Sequence, residues 1–407
     1  MRKLSLTLAL CLVASLTFGQ KKAVSAAKNE LKSDKPNIEE ARGLIKGAME
    51  DPETKDDANT WYTAGLIDNK VFDTEKTKEL IGQKPNEELM YNALKAILPL
   101  FLKADELDNM PDEKGKIKLK FQKDIKAILN ANRMYYINGG VFYFDQKNYA
   151  EAYDFFDQYV QIPTLSMFSK EKDEFLKDSV YVQIKFYKAI AASQIEDGSS
   201  KAIAAYEDMK NDGYKENEVY QYLCYEYEKE KDTENLMIVL KEGVQKFPEE
   251  SYYLLNLINQ YIYTNQNEEA IAYLTRAIDQ KPDDAQLYDV LGRIYENKKE
   301  LPKAKECFEK ALAINPDFVE AIGNLGRLYF NEGVESQSAA NDISDNKLYN
   351  EAVQKAKSLF KAALPYFEKA HKIKPEEKEY MVALRGIYYN LNMSEFDAMD
   401  AKLSDLE

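Results

Sequence analysis

Along most of the chain apolar residues recur three and four positions apart, in runs closed by short polar breaks. In "LGRIYENKKELPKAKECFEKALAINPD" (residues 291–317) the spacing holds through Leu291, Ile294 and Tyr295, then through Ala304, Phe308 and Ala311. That period belongs to amphipathic helices, and the break between the two runs is short enough to fold them into a helical hairpin. Pro316 closes the second helix, because proline cannot continue one.

The same pattern returns. Pro248, Pro282 and Pro316 fall 34 residues apart. Leu291-Gly292 and Tyr295 match Leu257-Ile258 and Tyr261, and before those Leu223-Cys224 and Tyr227. Ala304, Phe308 and Ala311 match Ala270, Leu274 and Ala277, and more loosely Leu236, Leu240 and Gly243. A period of 34 residues with these spacings resembles the tetratricopeptide repeat. The resemblance implies an all-α, right-handed superhelical solenoid of stacked helix-turn-helix units. In such a stack Gly292 and Ala304 are small where the paired helices cross, while Tyr295 and Phe308 fill the space between hairpins. One hairpin cannot bury both its faces alone, so the pattern serves packing.

The remaining chain fits less regularly. Residues 132–163 are a good copy, with Gly139-Gly140, Tyr143, Ala152 and Phe156 in the matching slots. Residues 180–213 form a degenerate copy, so 132–213 holds two repeats and 217–318 three regular ones. Residues 319–375 read as a repeat with a 25-residue insertion near 334–358: Leu325-Gly326 and Tyr329 open it, and Ala363, Phe367, Ala370 and Pro375 finish it late. Residues 37–131 read as degenerate repeats with lengthened helices, where Ala64-Gly65 and Phe101 take the same roles, followed over 105–131 by a linker and one further helix. Pro99 and Pro365 sit alike in these two expanded copies and predict bent second helices. Residues 376–407 predict a capping hairpin, with Ser394 and Asp397 as an N-cap pair.

The first residues change the picture. Arg2 and Lys3, an apolar run over residues 4–16 and small residues at Thr17 and Gly19 have the order of a signal peptide, with cleavage after Gly19. Residues 20–36 are polar and Lys-containing and predict a flexible segment. The reading is an exported protein, periplasmic or extracellular in a bacterium, with no membrane segment after cleavage. A lipid anchor on Cys11 is the less favoured alternative, because Leu10 stands where a small residue is needed.

Acidic residues outnumber basic ones 70 to 55, for a net charge of −15, which disfavours nucleic acid or an anionic membrane as the main partner. His371 is the only histidine, in a lysine-rich helix end where a cation suits the helix dipole. One histidine and the separated Cys224 and Cys307 do not make a zinc site or a catalytic triad. There is no phosphate loop or dinucleotide fingerprint, and "NDISDN" (residues 341–346) lacks the glycine and terminal Glu of a calcium loop. The expectation is no catalytic, cofactor or metal site.

In tetratricopeptide proteins the first helices line a concave groove that holds a partner peptide or domain. Carried onto this chain, the groove slots are Gln221 and Tyr225, then Leu255, Asn259 and Tyr263, then Asp289, Arg293 and Asn297, then Arg327 and Phe330, with Ile137, Val141 and Phe144 in the earlier copy. Aromatic residues and arginine dominate binding hot spots. The Lys, Asn and Arg clamp that some family members close on a chaperone C-terminus is missing, since Leu255, Val290 and Glu320 occupy its slots. The expectation is a non-enzymatic scaffold for protein partners in the cell envelope. The rivals are an assembly or secretion factor that holds envelope proteins and, from another class, an enzyme with an acidic site that no motif marks.

Overall fold

The computed structural model describes residues 19–33 and 35–405. The leader pattern and Cys11 lie outside the described residues, apart from Gly19. The chain divides into two compact units, the first ending at Val239 and the second beginning at Leu240. No strand occurs among the described residues, and the fold is the all-α succession of helical hairpins expected from the repeat.

In the first unit α1 (19–30) and α2 (Ile38–Glu50) precede a long hairpin of α3 (Ala58–Leu80) and α4 (Glu87–Asp108). Then come α5 (Gln122–Asp145) with α6 (Tyr149–Gln161), a short α7 (Lys172–Lys177), α8 (Ser179–Ser193) with α9 (Ser199–Met209), and α10 (Glu216–Lys229). Helix α6 packs on α8 and α9 on α10, so each hairpin covers the next. The unit boundary falls inside α11 (Thr233–Lys246). The second unit holds four hairpins: α12 (Ser251–Tyr263) with α13 (Asn267–Gln280), α14 (Ala285–Asn297) with α15 (Leu301–Ile314), α16 (Val319–Ala340) with α17 (Asn346–Ile373), and α18 (Lys378–Leu391) with α19 (Glu395–Ser404).

Local chemistry starts the helices where the sequence changes period. Asn37, Asp57, Asn86, Asn148, Asp178, Asp284 and Asp345 each accept a hydrogen bond from a main-chain N–H of the turn they open. The turns inside three hairpins share a left-handed residue: Lys231, Asn265 and Lys299, 34 apart, have φ of 58°, 57° and 59°.

The helix crossings are closed by one recurring contact. A Cβ on Gly292 would lie 2.6 Å from the Phe308 ring, and Phe308 is fully buried against Ala304, Leu325 and Leu328. Gly65 meets Phe101, Gly140 meets Phe156 and Gly326 meets Phe367 in the same way. The expanded copies keep the contact of the regular one because the insertions lie outside it.

Three expectations need correction. Of the segment expected to be loose over 20–36, residues 20–30 belong to a packed helix: α1 buries Val24 and Ala27 against Ala41, Ile45 and Ala48 of α2, because Val24 and Ala27 lie on one helical face and are small enough for close packing. Residues 105–131 do not hold a separate helix. Helix α4 ends at Asp108, and α5 starts at Gln122 and runs unbroken through the next repeat's first helix, burying Ile125 and Leu129. The insertion at 334–358 is no such correction: it lengthens α16 and α17, and "NDISDN" is mostly their turn, with Asp345 capping α17. Ser394 gives α19 no side-chain cap; its hydroxyl turns to Glu395 instead, so the pairing with Asp397 is not made.

Helices α4 and α17 continue through Pro99 and Pro365. A proline leaves the carbonyl four residues earlier without its helical donor. For Pro99 that carbonyl is Lys95, and Gln158 of α6 supplies the missing bond, its Nε2 donating over 3.0 Å.

Candidate functional site

Helices α14 and α16, the first helices of neighbouring repeats, lie side by side and are joined by a polar network. Asn324 Nδ2 donates to Asp289 Oδ1 at 2.8 Å. The Arg327 guanidinium grips the Glu296 carboxylate with two bonds, 2.6 and 3.0 Å, and donates to Asn324 Oδ1 at 2.9 Å. Asp289 is buried, and burial raises its carboxyl above the ordinary range; the Asn324 hydrogen bond and the Arg293 charge act against that. Such a forked, partly buried pair holds Arg327 in place.

This arrangement sorts the sequence candidates. Arg327 is committed to Glu296, so two free aligned arginines do not exist here. Asp289 is a buried packing residue. Phe330 is half-buried with its ring 5.6 Å from Phe360 and 6.3 Å from Phe367, and so belongs to the core rather than to an open face. Its slot faces the long α17, which the insertion supplies. Leu255 is half-buried.

The others are open. Arg293 and Asn297 on α14, and Asn259 and Tyr263 on α12, are exposed. None makes a side-chain hydrogen bond, ion pair or ring contact among the described residues. Tyr263 is 85% exposed, unusual for a large aromatic. In the first unit Tyr225 is 60% exposed and Val141 is exposed, whereas Ile137 and Phe144 are half-buried.

Other titratable groups point to packing. Cys224 and Cys307 are free and buried, and burial pushes their thiols up to about 12 and about 11, away from nucleophilic thiolate. His371 is held below its ordinary value by burial and by Lys402, which works against the helix-end cation the sequence suggested. Among the described residues no group of His, Cys, Asp and Glu is placed to hold a metal ion. No described helix is long and apolar enough to cross a membrane.

Family models described as tetratricopeptide repeat match residues 260–284 and 285–318. The chain carries tetratricopeptide repeats. The matched residues hold α13, α14 and α15, and therefore the Gly292–Phe308 contact. A protein named ycf37 from Pyropia yezoensis is 39% identical over 64 residues, 16% of this chain. The chain spans about a third (35%) of that relative's length. Among solved structures, a TPR repeats protein from Bacteroides fragilis is 19% identical, with a TM-score of 0.34 over 63% of this chain and 98% of its own. The TPR protein YrrB is 18% identical, with a TM-score of 0.33 over 53% and 96% of the two chains.

The sequence offers Asp289, Glu296 and Glu320 as internal partners for Arg293 and Arg327; the structure selects Glu296 for Arg327 and adds Asn324, which sequence reasoning missed. The signal was present in principle, because Asn324 and Arg327 share a helical face and Glu296 lies 31 positions before Arg327, near one repeat length. Acidic residues are so abundant that spacing alone does not select the partner.

Proposed function

We propose that this tetratricopeptide protein is a non-enzymatic interaction scaffold of the cell envelope that receives a protein segment on its first helices. The observation that carries this is the exposure of an aromatic, Tyr263, and of a cation that makes no ion pair, Arg293, on successive first helices. Both are among the residue types that supply most binding energy at protein interfaces. The neighbouring Arg327 is neutralised by Glu296, so Arg293 is the cation left to meet a partner carboxylate. Tyr263 offers exposed apolar area on the preceding first helix at low ordering cost. The leader-like order of residues 1–19 supports export.

A photo-crosslinking residue in place of Tyr263 or Asn297, in intact cells, should capture the same partner from both positions. The same residue at Glu306, exposed on α15, should not. Arg293→Glu should lower capture from Asn297 at least tenfold, with helicity and melting measured alongside because the Arg293 charge also acts on buried Asp289. Equal capture from Glu306, or capture indifferent to Arg293→Glu, overturns the reading. Export is checked by the mass of the mature N-terminus, expected to begin at Gln20; an intact Met1 or a lipid on Cys11 overturns that part.

A further inference from the structure

One segment of the first unit has neither helical structure nor a buried face. Residues 114–120 read "KGKIKLK", four lysines in seven positions on a chain whose net charge is −15. All are exposed, Ile117 at 57% and Leu119 at 49%. The stretch joins α4 to α5 and is anchored at both ends. Asp112 N–H donates to the Lys116 carbonyl at 2.9 Å, and the Asp112 carboxylate accepts from the N–H groups of Lys114 and Lys116. At the other end the buried Asp108 carboxylate accepts from the N–H groups of Lys120 and Phe121, at 2.6 and 2.9 Å. Phe121 stacks on Tyr62 with ring centroids 4.4 Å apart.

Between these anchors the main-chain groups of Ile117, Lys118 and Leu119 meet no protein partner among the described residues. Lys116 spends its N–H and C=O on Asp112 within the loop, and Lys120 its N–H on Asp108. The Lys118 ammonium lies 3.2 Å from the Asp112 carboxylate in an exposed ion pair, a kind worth little, so a partner carboxylate can take its place. Free of protein partners, the main-chain groups of residues 117–119 are open to an added strand, as those of an unpaired strand edge are. Lysine and apolar residues alternate along the stretch, so pairing as a strand would set Lys116, Lys118 and Lys120 on one face and Ile117 and Leu119 on the other.

We propose that residues 116–120 are a docking edge that takes an extended acidic segment of a partner protein as an added strand. Strand addition draws affinity from main-chain bonds and specificity from alternate side chains. Here the alternate positions call for acidic residues opposite the lysines and apolar residues opposite Ile117 and Leu119. A second copy of this chain is a poor occupant, because it would set lysine against lysine, which is destabilising in a paired strand. This edge is separate from the α12–α14 surface, and the two can fail independently.

The probe is an acetylated, amidated seven-residue peptide alternating acidic residues with valine, fluorescently labelled and titrated with the full chain. Binding should weaken with added salt. Leu119→Pro, which removes one unpartnered donor, and Lys118→Glu should each weaken it at least tenfold. A peptide of the same composition with its acidic residues in one block should also bind at least tenfold more weakly. Thermal melting followed by circular dichroism shows whether the variants remain folded; Leu119 buries little, so both should melt like the parent. No binding of the alternating peptide, equal binding of the block peptide, or Leu119→Pro binding like the parent overturns the proposal. So does Lys118-dependent binding to phosphatidylglycerol vesicles in place of the peptide, which would make the segment a lipid-surface contact.

Discussion

Replacing Gly292 with Ala separates two roles that a helical glycine can have. In an open helix position the change stabilises by about 1 kcal/mol, because alanine is the better helix former. At Gly292 the new Cβ would stand 2.6 Å from Phe308 Cε1 and 2.8 Å from Cδ1. Carbon pairs rest at about 3.5–4.0 Å, so the ring would have to withdraw by roughly 1 Å. Phe308 is fully buried against Ala304, Leu325 and Leu328 and has nowhere free to go. Overpacking of this kind costs about 1–3 kcal/mol. Set against the propensity gain, the net is a loss of about 0–2 kcal/mol, the sign opposite to that of an open glycine. Gly292→Leu should cost more. The control is Phe308→Leu, in which the ring is gone. There Gly292→Ala should be neutral or stabilising, giving a coupling of about 1–2 kcal/mol between the two sites. Urea unfolding gives the free energies, and hydrogen exchange should show the loosening centred on α14 to α16, since repeats couple mainly to their neighbours. The reasoning is refuted if Gly292→Ala stabilises the parent by about 1 kcal/mol, or changes both backgrounds equally.

Two further outcomes test features that only the structure shows. Gln158→Ala should cost about 1–2 kcal/mol because it leaves the Lys95 carbonyl without a donor; in a Pro99→Ala background, where residue 99 regains its N–H, the same change should cost clearly less, and equal costs in both would remove the capping role. His371 gives the only histidine ring signals in an NMR titration, and its midpoint should lie below the ordinary value of about 6.5 and rise in Lys402→Ala. Because the folded pKa is the lower one, the unfolded chain takes the proton more readily. The ring's share of stability is then present above about pH 6.5 and is lost as the pH falls through the folded midpoint. A midpoint at or above 6.5 that ignores Lys402→Ala would contradict this.

The parts of the fold legible in the sequence are those that local packing enforces. The repeat pattern gives Gly65, Gly140, Gly292 and Gly326 one slot and Phe101, Phe156, Phe308 and Phe367 another; that each phenylalanine closes on the glycine of its own hairpin, and does not only fill the space between hairpins, is seen in the structure. What escaped depends on partners distant in sequence or on conformation that residue type conceals. Lys231 and Lys299 adopt left-handed φ although lysine has no preference for it; the turn geometry of the hairpin imposes it. Helix α1 has only two small buried residues in its apolar contact, too few to stand out from a polar Lys-containing segment. Of the binding candidates, the sequence identified which positions lie on first helices. It did not show that Phe330 meets Phe360, because the long α17 that covers it follows an insertion.

That insertion is itself explained by helix geometry. Gly326 faces Phe367, and seven residues further along α16 Gly333 faces Phe360, seven residues earlier on α17; a Cβ on Gly333 would lie 3.0 Å from that ring. A further step of seven brings α16 to the buried Ala340. Seven residues are nearly two helical turns, so a small residue at each step stays on one face with only a slight drift. In an antiparallel pair the partner must run backwards by the same step, and the two phenylalanines do. The expanded hairpin thus continues the repeat's own contact rather than interrupting it, and both helices grow together. The N-terminal expansion uses the same register with the sizes exchanged: seven residues after Gly65 comes Phe72 on α3, and seven before Phe101 comes Leu94 on α4, both fully buried. A hairpin that holds this register can lengthen without disturbing its neighbours, because the contacts that stack one repeat on the next lie in the part all copies share. The two expanded copies could therefore acquire new exposed surface while the three regular repeats kept their spacing.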